Sequence, residues 1–320
     1  MNVTVLGCGR WGSFLACYHS KQHEVMLWGK ENSRSFTALQ ATRQNSYITL
    51  PEKIVLESNL KKAVDFSDYI VVSISAQQMR SFSQQLNTLD LIGKTFILCM
   101  KGIEAETGQR LTQIMRQEIN QPIEIAVWVG PGHVQDFMAG IPNCMVVDSD
   151  NPATIKRIVD DFNSDLIRLY VGTDLIGTEI GAAAKNVIGI AAGMLDGFGY
   201  GSMKGALMAR GAREIARLIK AMGGNELSAY GLCHLGDYEA TLFSPHSHNR
   251  KFGECYIKGQ PYGELAEGAA TVKALIKMAQ QHGVDLPICN TVNNILYHGQ
   301  SGEEALNALF ARSTKGEFYI

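Results

Sequence analysis

The sequence lacks several features that would point to an unusual environment. Its seven cysteines are odd in number, irregularly spaced and without a CxxC pair, which argues against a disulfide framework or a zinc site. The 29 lysines and arginines nearly balance 31 aspartates and glutamates, so no global field attracts nucleic acid or a membrane surface. His246 and His248 lie close together, but two ligands do not make a metal site. We therefore expect no metal, no nucleic-acid partner and a cytoplasmic location.

Long uncharged apolar runs are also missing. No stretch reaches the roughly 18 residues that a membrane span needs, and the longest candidate, residues 181–194, contains Lys185. The first residues, MNVTVLGCGRWG, lack the charged region and the cleavage site of a signal peptide. With 46% hydrophobic residues over 320 positions, the composition is typical of a globular protein of two domains.

The first half of the chain alternates apolar strands with helices. The runs with strand character are residues 3–6, 24–28, 69–75, 95–100, 123–129 and 144–148, and amphipathic segments such as 10–21 and 106–118 lie between them. This alternation indicates a mostly parallel sheet with helices on both faces. From about residue 172 the strand runs stop, and helical segments follow at 177–195, 203–222, 271–282 and 288–297.

The segment GCGRWG follows the first predicted strand and opens a helix, as a dinucleotide-binding loop requires. Gly7 permits the tight turn, Gly9 lets the backbone approach a pyrophosphate, and Gly12 allows close packing of helix on strand. The helix N-terminus presents free N–H groups to the phosphates. We predict an α/β protein with a Rossmann-like, doubly wound sheet over residues 1–173, which binds the dinucleotide. An all-α domain for substrate binding and catalysis follows over residues 174–320.

The end of the second predicted strand bears on the choice of cofactor. An NAD-selective site usually has an acidic residue there, whereas this chain reads LWGKENSR, with Lys30 and Arg34. Glu31 could serve the ribose, but the two cations suit a 2′-phosphate. The pattern leaves NADP(H) and NAD(H) open and favours NADP(H).

One lysine, Lys185, stands in the apolar run GAAAKNVIG, where three alanines leave room around it. Lysine is almost never fully buried unless its charge is satisfied. Asp237 could pair with Lys185 and keep it protonated in an apolar pocket, although a structural ion pair would have the same sequence. Lys101 follows a predicted strand at the sheet edge where ligands collect. Gly130 and Gly132, after the next strand, indicate close backbone approach.

Taken together, these segments resemble the NAD(P)-dependent glycerol-3-phosphate dehydrogenases, especially the bacterial type. The matching segments run in order from about residue 2 to 311 and include GCGRWG, MKGIEAETG, GPGHVQDF, GTEIGAAAKNVIGIAAGMLDGFGYG, ALMARGAREIARL, HLGDYEAT and SHNRKFG. The resemblance implies an oxidoreductase that reduces dihydroxyacetone phosphate to sn-glycerol 3-phosphate with NAD(P)H, for glycerophospholipid synthesis. Because a helical second domain often provides a dimer surface, we expect a homodimer.

The resemblance also assigns expected roles. Lys185 matches the proton donor to the ketone oxygen, with Asp237 as the second catalytic residue. The expected substrate contacts are Lys101, Gly130, Gly132, Lys185, Asn186, Asp237, Thr241, Ser247, His248 and Asn249. The expected cofactor contacts are Gly7, Gly9, Arg10, Trp11, Gly12, Lys30, Lys101, Val134, His248 and Glu267.

Three positions depart from the family pattern. The family normally has an arginine that binds the substrate phosphate where this chain has His248, and usually a serine or threonine at Gly132. It often has a proline in the segment that reads VVSIS here. Arg250 and Lys251, close by in sequence, are candidates to compensate for the missing arginine.

Two other functions stay open on this evidence. A reductase of another small keto acid, of ketopantoate or β-hydroxyacid type, shares the architecture but would not need the phosphate-gripping segment SHNRKFG. A non-enzymatic dinucleotide sensor is suggested only by the departure at His248. The presence of Lys185, Asn186 and Asp237 together argues against a sensor.

Overall fold

The N-terminal half of the protein forms a sheet of eight strands. The computed structural model describes residues 1–313 and 316–317, and within them the strand order is β3-β2-β1-β4-β5-β6-β7-β8. The strands are Asn2–Leu6 (β1), Glu24–Trp28 (β2), Val55–Glu57 (β3), Tyr69–Val72 (β4), Thr95–Leu98 (β5), Glu124–Val129 (β6), Asn143–Asp148 (β7) and Ile167–Val171 (β8). Neighbouring strands run parallel except β6 and β7, which are antiparallel.

Helices cover both faces of this sheet. They are Arg10–His19 (α1), Arg34–Thr42 (α2), Leu60–Asp65 (α3), Met79–Leu86 (α4), Leu111–Glu118 (α5), Val134–Met138 (α6) and Pro152–Phe162 (α7). Successive side chains of a strand point to opposite faces, so Val71 of β4 packs in one apolar cluster while Ile70 and Val72 pack in another. The predicted doubly wound, mostly parallel sheet is confirmed.

The sequence prediction misses two strands, β3 and β8, which lie at the two edges of the sheet. β3 has three residues, and β8 reads IRLYV with only its first and third side chains buried. An edge strand that keeps exposed side chains carries no continuous apolar run. The predicted strands 69–75 and 95–100 extend too far, because β4 ends at Val72 and β5 at Leu98.

The C-terminal half is helical, as predicted. Its helices are Leu175–Phe198 (α8), Lys204–Ala221 (α9), His248–Ile257 (α10), Glu267–His282 (α11), Pro287–Tyr297 (α12) and Gly302–Phe310 (α13). Short 3₁₀ turns at Gly201–Met203, Glu226–Tyr230 and Leu235–Asp237 and a π-helical turn at Glu239–Phe243 connect them. Helix α8 is long and apolar enough to cross a membrane, but 94% of its most apolar 18-residue window is buried inside the protein. It is therefore the central core helix of this half.

Helices α8 and α10 approach each other to backbone contact. A Cβ atom on Gly193 would lie 1.8 Å from the carbonyl oxygen of Arg250, and one on Gly253 would lie 2.1 Å from that of Ile190. No side chain fits at such distances in a close-packed interior, so both positions require glycine. The contact fixes the start of α10 relative to the middle of α8.

A buried ion pair joins α8 to the start of α5, a helix of the sheet half. The Glu179 carboxylate accepts hydrogen bonds from the Arg110 guanidinium and from the backbone N–H and hydroxyl of Thr112, at the start of α5. The side chains of Arg110 and Glu179 are only 9% and 5% exposed. Removing one partner would leave a buried charge uncompensated, so this contact holds the central helix of one half against the other.

Candidate active site

A cleft of about 970 Å³ opens where β1, β2, β4, β5 and β6 end, facing α8, the π-helical turn and α10. Most of the predicted site residues line it. These are Gly7, Gly9, Arg10, Trp11, Lys30, Lys101, Gly132, Val134, Lys185, Asn186, Thr241, Ser247, His248, Asn249 and Glu267. The other three, Gly12, Gly130 and Asp237, lie directly behind the lining and contact it. The structure thus brings the whole predicted set together in one place.

The glycine loop has the geometry that a dinucleotide needs. Gly7 has a φ of +113°, and a Cβ there would lie 2.2 Å from the carbonyl oxygen of Ser73. A Cβ on Gly12 would lie 1.8 Å from the Gly7 carbonyl oxygen, so α1 packs directly on the loop. Helix α1 begins at Arg10 after Gly9, and no side chain caps its N-terminus. Its free N–H groups and positive dipole end face the cleft and fit a pyrophosphate.

Two lysines share one carboxylate at the floor of the cleft. The Asp237 Oδ2 atom lies 2.7 Å from the Lys101 Nζ atom and 3.0 Å from the Lys185 Nζ atom. Lys185 also donates to the Thr241 hydroxyl at 2.8 Å, and Lys101 donates to the Gly130 carbonyl at 2.6 Å. Asp237 is only 1% exposed. The predicted pairing of Asp237 with Lys185 is therefore observed, and Lys101 is an unpredicted third member.

The electrostatics of this group suit proton transfer near neutral pH. Burial lowers the pKa of Lys185 to about 8, against the attraction of Asp237, which favours the ammonium form. Burial also raises the pKa of Glu267 to about 7, against the opposing charges of Lys185 and Lys101. A general acid works best when its pKa lies near the working pH. Lys185 meets that condition.

A chain of amide groups holds the elements around the lysines. The Asn186 side chain donates to the Lys101 carbonyl at 3.0 Å, and the Asn249 side chain donates to the Asn186 side-chain oxygen at 3.0 Å. The Gly268 backbone N–H donates to the Asn249 side-chain oxygen at 2.9 Å. The chain links the loop after β5 with α8, α10 and the first turn of α11. Both asparagines therefore position neighbouring segments as well as lining the cleft.

Sequence reasoning missed His133, which lines the cleft after Gly132. Its Nε2 atom lies 2.7 Å from the carbonyl oxygen of Ala240, and its Nδ1 atom lies 3.4 Å from the Arg10 guanidinium. Burial lowers the pKa of His133 to about 4, so its ring is neutral at pH 7. A single histidine after a glycine carries no signal in sequence, because its partners come from distant segments.

Comparison with protein families decides the assignment. The model described as NAD-dependent glycerol-3-phosphate dehydrogenase N-terminus matches residues 2–155, and the corresponding C-terminus model matches residues 174–307. The chain belongs to the NAD-dependent glycerol-3-phosphate dehydrogenase family. The family prediction made from the motifs is confirmed, and with it the NAD(P)-dependent oxidoreductase class.

Individual relatives agree with this family. The chain is 34% identical to the NAD(P)+ glycerol-3-phosphate dehydrogenase of Pelodictyon phaeoclathratiforme over 99% of both chains. It is 35% identical to that of Prosthecochloris aestuarii over 99% of this chain and 100% of the relative. The crystal structure of the Coxiella burnetii glycerol-3-phosphate dehydrogenase is similar with a TM-score of 0.91 and 26% identity, over 97% of this chain and 99% of that one. A probable 2-dehydropantoate 2-reductase of Bacillus subtilis, at a TM-score of 0.59 and 15% identity over 94% of this chain and 100% of that one, shares the fold alone.

The structure explains one departure from the dehydrogenase family pattern. Gly132 has a φ of +132°, and a Cβ there would lie 2.4 Å from the Phe137 ring. A serine or threonine would therefore collide with this ring and strain the backbone. In this chain, the position of the Phe137 ring therefore requires glycine at position 132.

The departure at His248 leaves the cleft without the arginine that the family has there, and the two cations that follow in the first turn of α10 do not replace it. The His248 Nδ1 atom lies 2.7 Å from the Tyr262 hydroxyl, and burial lowers the pKa of this histidine. Arg250, a candidate to compensate, donates instead to Asp196 at 2.7 Å, and Lys251 faces a glutamate of its own helix. Within the described part of the chain, neither of these two cations lines the cleft.

Proposed function

We propose that this protein reduces dihydroxyacetone phosphate to sn-glycerol 3-phosphate with a nicotinamide dinucleotide, and that the residues predicted from the sequence carry out the roles given above. The observation that carries the proposal is the buried Lys185 ammonium, held by Asp237 and Thr241 at the floor of a cleft with a dinucleotide-binding loop. In the same proposal, residues 1–173 bind the cofactor and residues 174–320 supply the catalytic lysine.

Lys185 supplies the proton that the reaction consumes. The glycine loop at Gly7 and Gly9 would hold a nicotinamide dinucleotide, which would supply a hydride to the carbonyl carbon and so place a negative charge on the ketone oxygen. The Lys185 ammonium donates a proton to that oxygen, which completes the alcohol and leaves a neutral amine. Solvent protonates the amine again, readily because its pKa is about 8. General acids of this kind contribute roughly 10² to 10⁴ in rate.

Asp237 and Lys101 prepare the site for an anionic ketone. One carboxylate between two ammonium groups leaves a net positive charge at the floor of the cleft, which attracts a phosphorylated substrate. Asp237 also keeps Lys185 protonated in spite of its burial. The Thr241 hydroxyl donates to the Asp237 carbonyl at 2.6 Å and accepts from Lys185, so it fixes the direction of the ammonium group.

The end of β2 supports a preference for NADP(H). Lys30 lines the cleft together with Ser33 and Ser35, at the start of α2. A cation, two hydroxyl groups and a helix N-terminus suit the 2′-phosphate that distinguishes NADP from NAD. Arg34, the other cation expected to favour NADP(H), is exposed and outside the cleft lining in the described structure.

One assay tests the reaction. Oxidation of NADPH and of NADH is followed at 340 nm with dihydroxyacetone phosphate, with unphosphorylated dihydroxyacetone and with ketopantoate. We expect the phosphorylated ketone to have the highest kcat/KM, and NADPH to be used better than NADH. Faster turnover of ketopantoate would refute the substrate, and tight cofactor binding without any turnover would point to a sensor.

The proposal extends to the setting of the enzyme. Exposed apolar side chains on the helical half, among them Tyr200, Phe243 and Phe310, support a homodimer, which light scattering on the purified protein would test. The seven cysteines are free thiols, which supports a reducing, cytoplasmic compartment. The product supports a role in glycerophospholipid synthesis.

A further inference from the structure

Arg10 is a cleft cation without a counter-ion. Among the described residues, the cations that line the cleft are Arg10, Lys30, Lys101 and Lys185, and the last two share the charge of Asp237. Lys30 follows the end of β2. No carboxylate of the described residues forms an ion pair with Arg10.

The partners of Arg10 are all neutral. Its guanidinium donates to the Gln135 side-chain oxygen at 2.8 Å and to the His246 carbonyl at 3.4 Å, and it lies 3.4 Å from the His133 ring. It also lies over the Tyr47 ring, 5.5 Å from its centroid. Burial lowers the pKa of Arg10, but an arginine stays charged in proteins. A partly buried charge among neutral partners is relieved when an anion binds.

The guanidinium of Arg10 reaches across the cleft. Arg10 begins α1 on the sheet side, whereas His246 precedes the start of α10 on the helical side by two residues. Burial and the charge of Arg10 both lower the pKa of His248, the first residue of α10. Both effects disfavour the charged form of His248, and of the cations at this helix N-terminus and beside it, Arg10 is the one that lines the cleft.

We propose that Arg10 is a specificity-determining residue that binds the phosphate of the substrate from the sheet side, while the first turn of α10 faces the same phosphate. The inference rests on the proposed function and deepens it. A guanidinium can donate two parallel hydrogen bonds to phosphate oxygens. Because the protein partners of Arg10 are neutral, its positive charge is available to the substrate phosphate.

The test separates the substrate phosphate from the cofactor phosphates. We expect Arg10→Met to raise KM for dihydroxyacetone phosphate about 10- to 100-fold, the loss of one charged hydrogen bond. Its kcat/KM for unphosphorylated dihydroxyacetone should stay within about threefold. Its Kd for NADPH, from fluorescence titration, should rise less than the KM for dihydroxyacetone phosphate, because the variant keeps the backbone N–H groups at the start of α1 that fit the cofactor pyrophosphate. Arg116→Met, which removes an exposed arginine paired with Asp150 on the sheet half, is the matched control and should change none of these values.

A second variant distinguishes phosphate binding from a structural role. Arg10→Met combined with His248→Arg restores a guanidinium at the start of α10, and we expect it to recover most of the lost affinity for dihydroxyacetone phosphate. A merely structural Arg10 would not be rescued in this way. If Arg10→Met instead weakens NADPH binding by the same factor and affects both ketones equally, Arg10 serves the cofactor and the inference is wrong, while the proposed function stands.

The proposed function can fail separately. If the wild-type protein does not reduce dihydroxyacetone phosphate, that function is refuted. The inference is then decided by calorimetric titration of inorganic phosphate into the NADPH-saturated protein. A tenfold weaker phosphate affinity in Arg10→Met supports the inference, and an unchanged affinity overturns it.

Discussion

Replacing Asp237 by asparagine tests how the buried Lys185 ammonium is kept charged. The substitution keeps the shape of the side chain but removes the one carboxylate that lies 3.0 Å from Lys185 and 2.7 Å from Lys101. An opposite charge at such a distance moves a pKa by about 1 to 3. The pKa of Lys185, about 8 in the intact protein, should therefore fall to between about 5 and 7.

The sign of the effect on the rate follows from the direction of proton transfer. Ketone reduction needs the protonated lysine, so its rate falls as the pH rises through the pKa of Lys185. At pH 7.5 about three quarters of the lysine is protonated in the wild type, and at most about a quarter in Asp237→Asn. We expect kcat/KM at that pH to fall at least about threefold, and much of the loss to disappear near pH 5.5.

The assay is the pH profile of dihydroxyacetone phosphate reduction, with the midpoint of its alkaline limb as the readout. Asp148→Asn is the matched control, since Asp148 is also 1% exposed but accepts its hydrogen bonds from Thr178 and backbone N–H groups. Its midpoint should not move. A loss in Asp237→Asn that is equal at every pH would refute the electrostatic reasoning and leave Asp237 a purely steric role.

Three further predictions concern other parts of the molecule. Lys185→Met should lower kcat at least about 100-fold while NADPH binding, followed by fluorescence, stays nearly intact; more than a tenth of the wild-type kcat would exclude Lys185 as the acid. Lys30→Asp should raise KM for NADPH more than KM for NADH, because it repels the 2′-phosphate; equal rises would mean that Lys30 does not contact that phosphate. His19 is 1% exposed, and burial lowers its pKa to about 3. The unfolded chain therefore binds a proton at His19 below about pH 6.5 while the folded protein does not, so the free energy of unfolding falls as the pH drops from about 6.5 toward 3. His19→Leu should therefore reduce the drop in Tm between pH 7.5 and 5.5, and an unchanged drop would show that His19 does not titrate on unfolding.

The parts of the fold and site that could be predicted from sequence are those with local signals. The glycine loop stands directly between a strand and a helix, and Lys185 is conspicuous because its neighbours are small and apolar. The central strands are buried on both faces and read as continuous apolar runs. The edge strand β8 exposes three of its five side chains and so lacks such a run.

What the sequence could not provide are contacts between distant segments. Lys101 and Asp237 are 136 residues apart, and Arg10 and His246 are 236 apart. Each contact depends on how the helical half packs on the sheet, which no local pattern encodes. For the same reason Arg250 was a reasonable candidate beside His248, although its guanidinium pairs with Asp196.

The glycine contact between α8 and α10 affects how this protein will tolerate mutation. Gly193 and Gly253 are outside the cleft lining, yet any larger residue would push apart two helices whose backbones touch. In a scan of all single substitutions, both positions should therefore rank with Lys185 in their intolerance. A search for functional residues by sensitivity to substitution alone would mistake these two packing glycines for catalytic or binding residues. Redesign of the substrate range is better confined to the cleft walls, where side chains can change while this spacing is kept.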